Sequence, residues 1–192
     1  MQSTMTRVIA LLVVVLTGVA AFSGGLARMN EKSGKDDAVE RGQHLVTVGG
    51  CQDCHSPKVM SPNGPVPHPM KILSGHQAEA GTPAVPQGAL APDRWAAMTT
   101  GDMTAWAGPW GISYAANLTP DPATGLGGWT EELFIKTMRT GKHHGTGRQI
   151  LPPMPWMNYA QMSDEELKAV FAYLRSIPPI KNLVPQPVPP GK

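Results

Sequence analysis

Residues 51–55 read C-Q-D-C-H, and they follow the stretch V-E-R-G-Q-H-L-V-T-V-G-G at 39–50. An acidic residue can cap a helix, so we expect a helix to begin near Asp36 or Asp37 and to end at Gly49-Gly50. The only 2 cysteines of the chain therefore come directly after a predicted helix, three positions apart, and a histidine follows at once. These three side chains are the most informative feature of the sequence.

Cys-x-x-Cys-His is the attachment signature of c-type haem, in which each thiol adds across one vinyl group and the histidine binds the iron. We therefore predict that Cys51 and Cys54 hold one haem c covalently and that His55 is its proximal iron ligand. A thioredoxin-like pair would need a βαβ context that the sequence lacks, and a zinc site would need two more ligands. A plain disulfide would leave His55 unexplained.

Iron held by one histidine needs a second axial ligand, unless the site stays open for chemistry, and the chain has 11 methionines that could supply one. The segment L-P-P-M-P-W-M-N-Y at 151–159 places Met154 between two prolines, which fix the backbone and present the sulfur from a stiff loop. Met154 is predicted to be the distal iron ligand, with Met157 as the second choice. His143 and His144 remain a bis-histidine alternative, although they resemble part of a solvated loop.

The composition indicates a loop-rich globular protein with no nucleic-acid partner. The chain has 192 residues and a formal charge of +2, so it lacks the basic footprint of a nucleic-acid-binding domain. Residues 57–128 hold 21 glycines and prolines, a density that predicts an extended loop-rich insertion. We expect one short helix within it, around 92–98, and the pattern shows no strand of useful length.

The N-terminal residues 1–27 predict an export signal or a retained membrane anchor. Arg7 precedes the apolar stretch 8–21, and no charge occurs up to residue 27, so cleavage and membrane attachment through 8–27 both stay open. Either alternative predicts export to the bacterial periplasm. Residues 28–35 are expected to form a linker.

Two further helices have clear start and stop residues. One is predicted over 129–139, opened by Thr130, and the other over 163–177, opened by the capping box S-D-E-E. We expect the folded domain to span 36–178 and the Pro-rich tail 179–192 to lie on the surface.

The stretches R-G-Q-H-L-V-T-V-G-G-C-Q-D-C-H at 41–55 and N-L-T-P-D-P-A-T-G-L-G-G-W-T-E-E-L-F-I-K-T-M-R-T-G at 117–141, with P-P-M-P-W at 152–156, resemble class I single-haem cytochromes c. They are most similar to the cytochrome c subunits of bacterial membrane dehydrogenases. The resemblance implies an all-α class I cytochrome c fold, here with a long Gly/Pro/Trp-rich insertion. It also implies Met154 as iron ligand and a crossing of the first and last helices at Gly42. Phe171, Tyr173 or Leu174 would be the residue opposite, and His44 would pack as an aromatic.

A haem iron held by His and Met has no open position for a substrate, so the expected role is one-electron transfer and not catalysis. The expected partners are redox proteins, a membrane dehydrogenase or a terminal oxidase. Two alternatives stay open, namely a haem enzyme or gas sensor with a labile distal ligand and a fixed electron-transfer subunit of a respiratory complex.

Overall fold

The computed structural model describes residues 33–91 and 93–190. Residues from Ala38 onward belong to one compact unit, and residues 33–37 before it are helical and exposed. The predicted export signal or anchor at 1–27 lies outside the described residues. In the part of the chain that is described, no helix has the length and apolar character needed to cross a bilayer.

The described residues contain five α-helices, four of which lie wholly within the compact unit. Helix α1 covers residues 33–48, so it is already helical before its predicted start at Asp36 or Asp37. The others are α2 (Cys51–His55), α3 (Glu131–Thr140), α4 (Trp156–Tyr159) and α5 (Asp164–Ser176).

The two later helices that the sequence predicted are confirmed, with the predicted caps. At α3, the Thr130 side chain accepts a hydrogen bond from the backbone N–H of Leu133, and Gly141 ends the helix in a left-handed conformation with φ 63°. At α5, Ser163 and Glu166 form the reciprocal capping box. The start of each helix is therefore determined by a side-chain cap, which involves only a few neighbouring residues.

Helices α1 and α5 cross at Gly42, where the two backbones touch. A Cβ atom on Gly42 would lie 1.9 Å from the Ala169 carbonyl oxygen and 2.8 Å from the Tyr173 Cβ. The resemblance therefore located the crossing correctly at Gly42 on α1 and at Tyr173 on α5. The three atoms nearest to a Cβ on Gly42 belong to Ala169 and Tyr173, and none belongs to Phe171 or Leu174. His44 is exposed, so its expected role in packing is wrong.

One apolar cluster lies between the helices and binds the insertion to them. Its buried members come from α1, α3, α5 and two insertion positions, and they are Val46, Leu73, Leu126, Phe134, Met138, Leu167, Val170, Phe171 and Leu174. Because Leu73 is fully buried, the insertion contributes to the core as well as to the surface.

The expectation of an all-α fold is wrong, because the insertion contains two antiparallel sheets. Strands β1 (Lys58–Ser61) and β2 (Gly64–Pro67) form a hairpin. Strands β3 (Met98–Thr99), β4 (Ala105–Gly108) and β5 (Gly111–Tyr114) form the second sheet in that order.

Short strand length explains why the sequence pattern missed these sheets. The five strands have 2 to 4 residues each, which is too short for an alternating pattern to stand out. Several strand positions are also glycine or proline, residues that usually indicate a loop. The short helix expected around 92–98 is absent at 93–97, and Met98 begins β3 instead.

The Pro-rich tail is hydrogen-bonded to the insertion rather than only lying on the surface. Val188 and Ile112 exchange backbone hydrogen bonds of 2.8 and 2.9 Å at the edge of β5. Asn182 is buried, and its side-chain amide donates to the backbone carbonyls of Ser74 and His76, each at 2.8 Å. The tail therefore fixes the position of the segment that contains Ser74 and His76.

Candidate functional site

Helix α2 carries the two cysteines and the histidine of the attachment motif on about one and a half turns. Gly50 precedes it with φ 66°, and the Asp53 N–H donates to the Gly50 carbonyl at 3.0 Å, which begins the helix. The left-handed backbone at Gly50 turns the chain sharply between α1 and α2. Cys51 and Cys54 are half-buried free thiols, so no disulfide blocks either sulfur.

Lys58 binds the backbone at the C-terminal end of the motif. Its ammonium group donates to three backbone carbonyls, those of Gln52 at 3.0 Å, Asp53 at 2.8 Å and Ser56 at 2.6 Å. These carbonyls belong to α2 and its end, where few backbone N–H groups are available as partners, and that of Gln52 also accepts from the Ser56 N–H at 3.3 Å. The positive charge at the C-terminal end also complements the helix dipole. Lys58 thus stabilises the conformation of the attachment helix.

His55 is buried and its imidazole is held by a backbone carbonyl. The Nδ1 atom lies 2.8 Å from the Ala116 carbonyl oxygen, and only an N–H at Nδ1 can donate to that acceptor. This assigns the proton to Nδ1 and leaves the Nε2 lone pair for another partner. In the described part of the chain, Nε2 makes no hydrogen bond. Burial lowers the pKa of His55, although the Ala116 carbonyl opposes the shift, and the ring therefore stays neutral at neutral pH.

Gly75 allows the insertion to approach His55. The Gly75 N–H donates to the His55 carbonyl at 2.8 Å, so main-chain atoms of the insertion hold His55 at its backbone and at its ring. Gly75 has φ 77°, and a Cβ there would lie 2.5 Å from the Ala115 carbonyl oxygen. The close approach of segments 73–76 and 115–118 therefore requires glycine at this position.

The two thiols lie in an environment that disfavours their ionised form. Burial, with a smaller contribution from Asp53, raises the pKa of the Cys51 thiol to about 11. Burial and the charge of Asp53 also raise the pKa of Cys54, against an opposing effect of Lys58. Both sulfurs are thus protonated at neutral pH before any covalent bond is made to them.

Met154 lies against the same apolar cluster as Cys51. Both side chains are half-buried and pack on the cluster between α1, α3 and α5. The Trp156 N–H donates to the Met154 carbonyl at 2.9 Å, which turns the chain from the loop at 151–155, here called the proline loop, into α4. Met157 is 61% exposed and does not pack on the cluster. Burial therefore favours Met154 over Met157 as a candidate ligand.

The other histidine candidates form an exposed aromatic cluster. His143 and His144 are exposed, and their rings lie 5.7 and 4.7 Å from the Trp129 ring. Although His143 is exposed, its neighbours remove part of its hydration, and this desolvation lowers its pKa together with the charges of His144 and Arg148. Among the described residues, no group of three or more His, Cys, Asp or Glu side chains could hold a metal ion.

Sequence reasoning missed the insertion residues that contact either His55 or the proline loop at 151–155. They are the carbonyl of Ala116, the N–H of Gly75 and the hydroxyl of Ser113, which donates to the Pro152 carbonyl at 2.5 Å. Ala116 lies 61 positions after His55. In two of the three contacts the insertion supplies a main-chain group, the Ala116 carbonyl or the Gly75 N–H. No side-chain pattern can identify such contacts, because every residue type has the same backbone groups.

Comparison with known proteins places this site in a family. The chain is 29% identical over 147 residues to a nicotinate dehydrogenase subunit of Pseudomonas putida, a match that covers 77% of this chain and 9% of that protein. It is also 29% identical over 147 residues to the gluconate 2-dehydrogenase cytochrome c subunit of Pantoea cypripedii, covering 77% and 25%. A diheme cytochrome c-type protein of Cereibacter sphaeroides is 24% identical over 150 residues, covering 77% and 38%.

The chain therefore spans well under half the length of these three relatives. The family model described as cytochrome c matches residues 39–178, which include the attachment motif, Met154 and helix α5. The expected resemblance is confirmed, and the chain belongs to the cytochrome c family.

Proposed function

We propose that this protein is an exported single-haem cytochrome c that carries electrons one at a time. Cys51 and Cys54 would hold the haem through thioether bonds, and His55 and Met154 would be the axial ligands of its iron. One observation carries the proposal. The buried imidazole of His55 donates from Nδ1 to Ala116, so the neutral ring has its Nε2 lone pair free for iron.

The chemistry of the surrounding residues fits a covalently bound haem. Cys51 and Cys54 are free thiols directly beside His55, and Cys51 packs on the apolar cluster that Met154 also contacts. A thioether sulfur and a neutral imidazole form a ligand pair that favours Fe(II) over Fe(III), compared with two imidazoles. The haem, when bound, supplies the Fe(III)/Fe(II) couple.

The protein's own residues orient the ligands and limit access of water. The Ala116 carbonyl fixes the His55 tautomer and raises the basicity of the ligating nitrogen. The apolar cluster, which includes Leu73, Leu126 and Phe134, keeps the inner side of the site dry. A dry pocket disfavours the additional positive charge of ferric iron and so raises the reduction potential.

A dehydrogenase is the proposed electron donor, because two of the relatives are named as dehydrogenase subunits. These names favour a second form of the same function, in which the protein is a fixed electron-transfer subunit of a dehydrogenase complex. Co-purification with a dehydrogenase from a native membrane preparation would distinguish this form from a freely diffusing carrier.

The ligand assignment is tested on protein matured in a host that attaches haem c. The mass of the purified chain should exceed the mass of the polypeptide by one haem, and Cys51→Ala/Cys54→Ala should abolish this increase. The ferric protein should show the charge-transfer absorption band of a methionine sulfur bound to iron. Met154→Ala should remove the band and lower the reduction potential, because a strong sixth ligand for Fe(II) is lost.

Met157→Ala is the matched control, since it removes the same side chain from the exposed position three residues later. It should leave the band and the potential unchanged. The assignment is wrong if Met157→Ala abolishes the band and Met154→Ala does not. Rapid cyanide binding by the unmodified ferric protein, with no methionine band, would instead indicate a haem enzyme or gas sensor.

Export is tested separately, by fractionation of cells that produce the full chain. The proposal predicts the haem-containing protein in the periplasm or attached to the periplasmic side of the membrane. Mass spectrometry of its N-terminus then distinguishes a cleaved signal from a retained anchor.

A further inference from the structure

A short segment of the insertion contacts the loops that carry both proposed iron ligands. The Ala116 carbonyl accepts from the His55 ring at 2.8 Å, and three residues earlier the Ser113 hydroxyl donates to the Pro152 carbonyl at 2.5 Å. Pro152 lies two residues before Met154 in the proline loop. The end of β5 therefore connects the two sides of the proposed iron site.

The proline loop has few hydrogen-bonding groups that could fix its position. Three of the five residues at 151–155 are prolines, which have no backbone N–H to donate. Among the hydrogen bonds of the described residues, that from Ser113 to Pro152 is the one that joins 151–155 to a distant part of the chain. The Trp156 and Asn158 N–H groups bond to carbonyls of Met154 and Pro155, within the loop and α4.

Ser113 itself is fixed by its surroundings. It is buried in β5, directly opposite Trp106 of β4 in the antiparallel sheet. Its oxygen also accepts a hydrogen bond from the indole N–H of Trp110 at 3.2 Å. The Pro152 carbonyl oxygen can only accept, so the Ser113 hydroxyl proton is directed to it. The neighbouring residue Ile112 is held by the tail through Val188.

We propose that Ser113 is a positioning residue for the sixth iron ligand. Its hydroxyl, which is fixed in the pairing of β4 with β5, would hold the proline loop in the position from which the Met154 sulfur could bind the iron. This inference rests on the proposed ligation by His55 and Met154. It assigns to the insertion a role in the redox site that goes beyond the packing of the core.

The test uses the mature ferric protein and the substitution Ser113→Ala. Loss of the hydroxyl leaves the Pro152 carbonyl and the Trp110 N–H without their partner, so the loop should move away from the iron more often. We expect a weaker methionine–iron band and cyanide binding that is about threefold to tenfold faster, which is the effect of one hydrogen bond on an equilibrium of this kind. Ser113→Thr keeps the hydroxyl and should restore both values to within about twofold.

Ser61→Ala is the matched control. Ser61 also accepts from an N–H, that of Asn63, and donates to a carbonyl, that of Gly64, but it does so in the β1–β2 hairpin. This variant should bind cyanide at the native rate. If Ser113→Ala does not yield folded protein, Trp110→Phe removes the indole donor while retaining an aromatic ring, and it should give a smaller change in the same direction.

Two outcomes would overturn the inference, and they are distinguishable. A native protein without the methionine–iron band would refute the proposed ligation and this role together. A native band that Ser113→Ala leaves intact, with an unchanged cyanide rate and a lower unfolding midpoint, would show that Ser113 contributes to folding alone. In that case the proposed function would stand and the positioning role would not.

Discussion

The helical frame and the insertion at 57–128 are built from different kinds of interaction. The helices α3 and α5 begin at side-chain caps within three residues of their start, at Thr130 and Ser163. The insertion is held by hydrogen bonds between residues far apart in the chain, such as His55 to Ala116 and Asn182 to Ser74. The starts of α3 and α5 are therefore specified locally, whereas the contacts of the insertion with His55 and with the tail are specified by the tertiary structure.

The two regions nevertheless serve one site. The frame provides Cys51, Cys54 and His55, whereas the insertion provides the main-chain groups that hold the His55 ring and backbone. At Gly75 the insertion can approach another backbone closely, because glycine has no Cβ to keep the two chains apart. The comparison teaches that loop-like composition here indicates close backbone contact and not a lack of order.

The largest expected effect tests the frame at the crossing of α1 and α5. Gly42→Ala should destabilise the protein by about 3 kcal/mol or more, because its Cβ would lie 1.9 Å from the Ala169 carbonyl oxygen. Urea unfolding followed by circular dichroism measures the change. Gly34→Ala is the control on the same helix, where a Cβ meets nothing within 4 Å. A loss below about 1 kcal/mol for Gly42→Ala would contradict the described crossing.

A smaller effect is expected where the insertion meets the site. Gly75→Ala combines a strained left-handed φ of 77° with a Cβ only 2.5 Å from the Ala115 carbonyl, so we expect a loss of about 2–3 kcal/mol. It should also weaken the methionine–iron band, because the support of His55 is displaced. Gly81 also has a positive φ, 66° with ψ 178°, but open space around a Cβ, so Gly81→Ala should cost about 1–2 kcal/mol from backbone strain alone and cause no spectral change. Equal losses in the two variants would show that backbone strain alone matters at Gly75.

The smallest expected effect is a pH dependence of the insertion. His76 is 1% exposed, its Nδ1 lies 2.8 Å from the Thr104 hydroxyl, and its buried Nε2 has no partner. Burial lowers the pKa of His76 below its ordinary value of 6.5, although Asp102 opposes the shift. The unfolded chain therefore binds a proton more readily than the folded one as the pH falls below 6.5, and stability is lost there.

Thermal unfolding between pH 7.5 and 5 measures this dependence. The midpoint of the native protein should fall with pH over this range, and His76→Gln, which cannot titrate, should show a smaller slope. His44→Gln, on the exposed part of α1, is the control for replacing an imidazole by an amide elsewhere in the chain. A native midpoint that is flat or rises toward acidic pH would contradict the assignment of a neutral buried His76.

The sequence predicted the parts that depend on neighbouring residues. The capping box at Ser163 and Glu166 and the cap at Thr130 gave α5 and α3 correctly, because caps act within one turn. The fold class was wrong because the strands of the insertion are 2 to 4 residues long and contain glycine and proline. Their stability comes from pairing partners that the sequence does not identify.

The proposed attachment by Cys51, Cys54 and His55 is a prediction from the sequence alone, because its chemistry requires three residue types at fixed spacing. The proposed preference for Met154 over Met157 has support from both levels, in the flanking prolines and in burial against the core. Tertiary structure alone decided which backbone carbonyl holds His55 and which hydroxyl holds the proline loop. Backbone groups are identical along the chain, so only the fold determines which of them lies next to a given side chain.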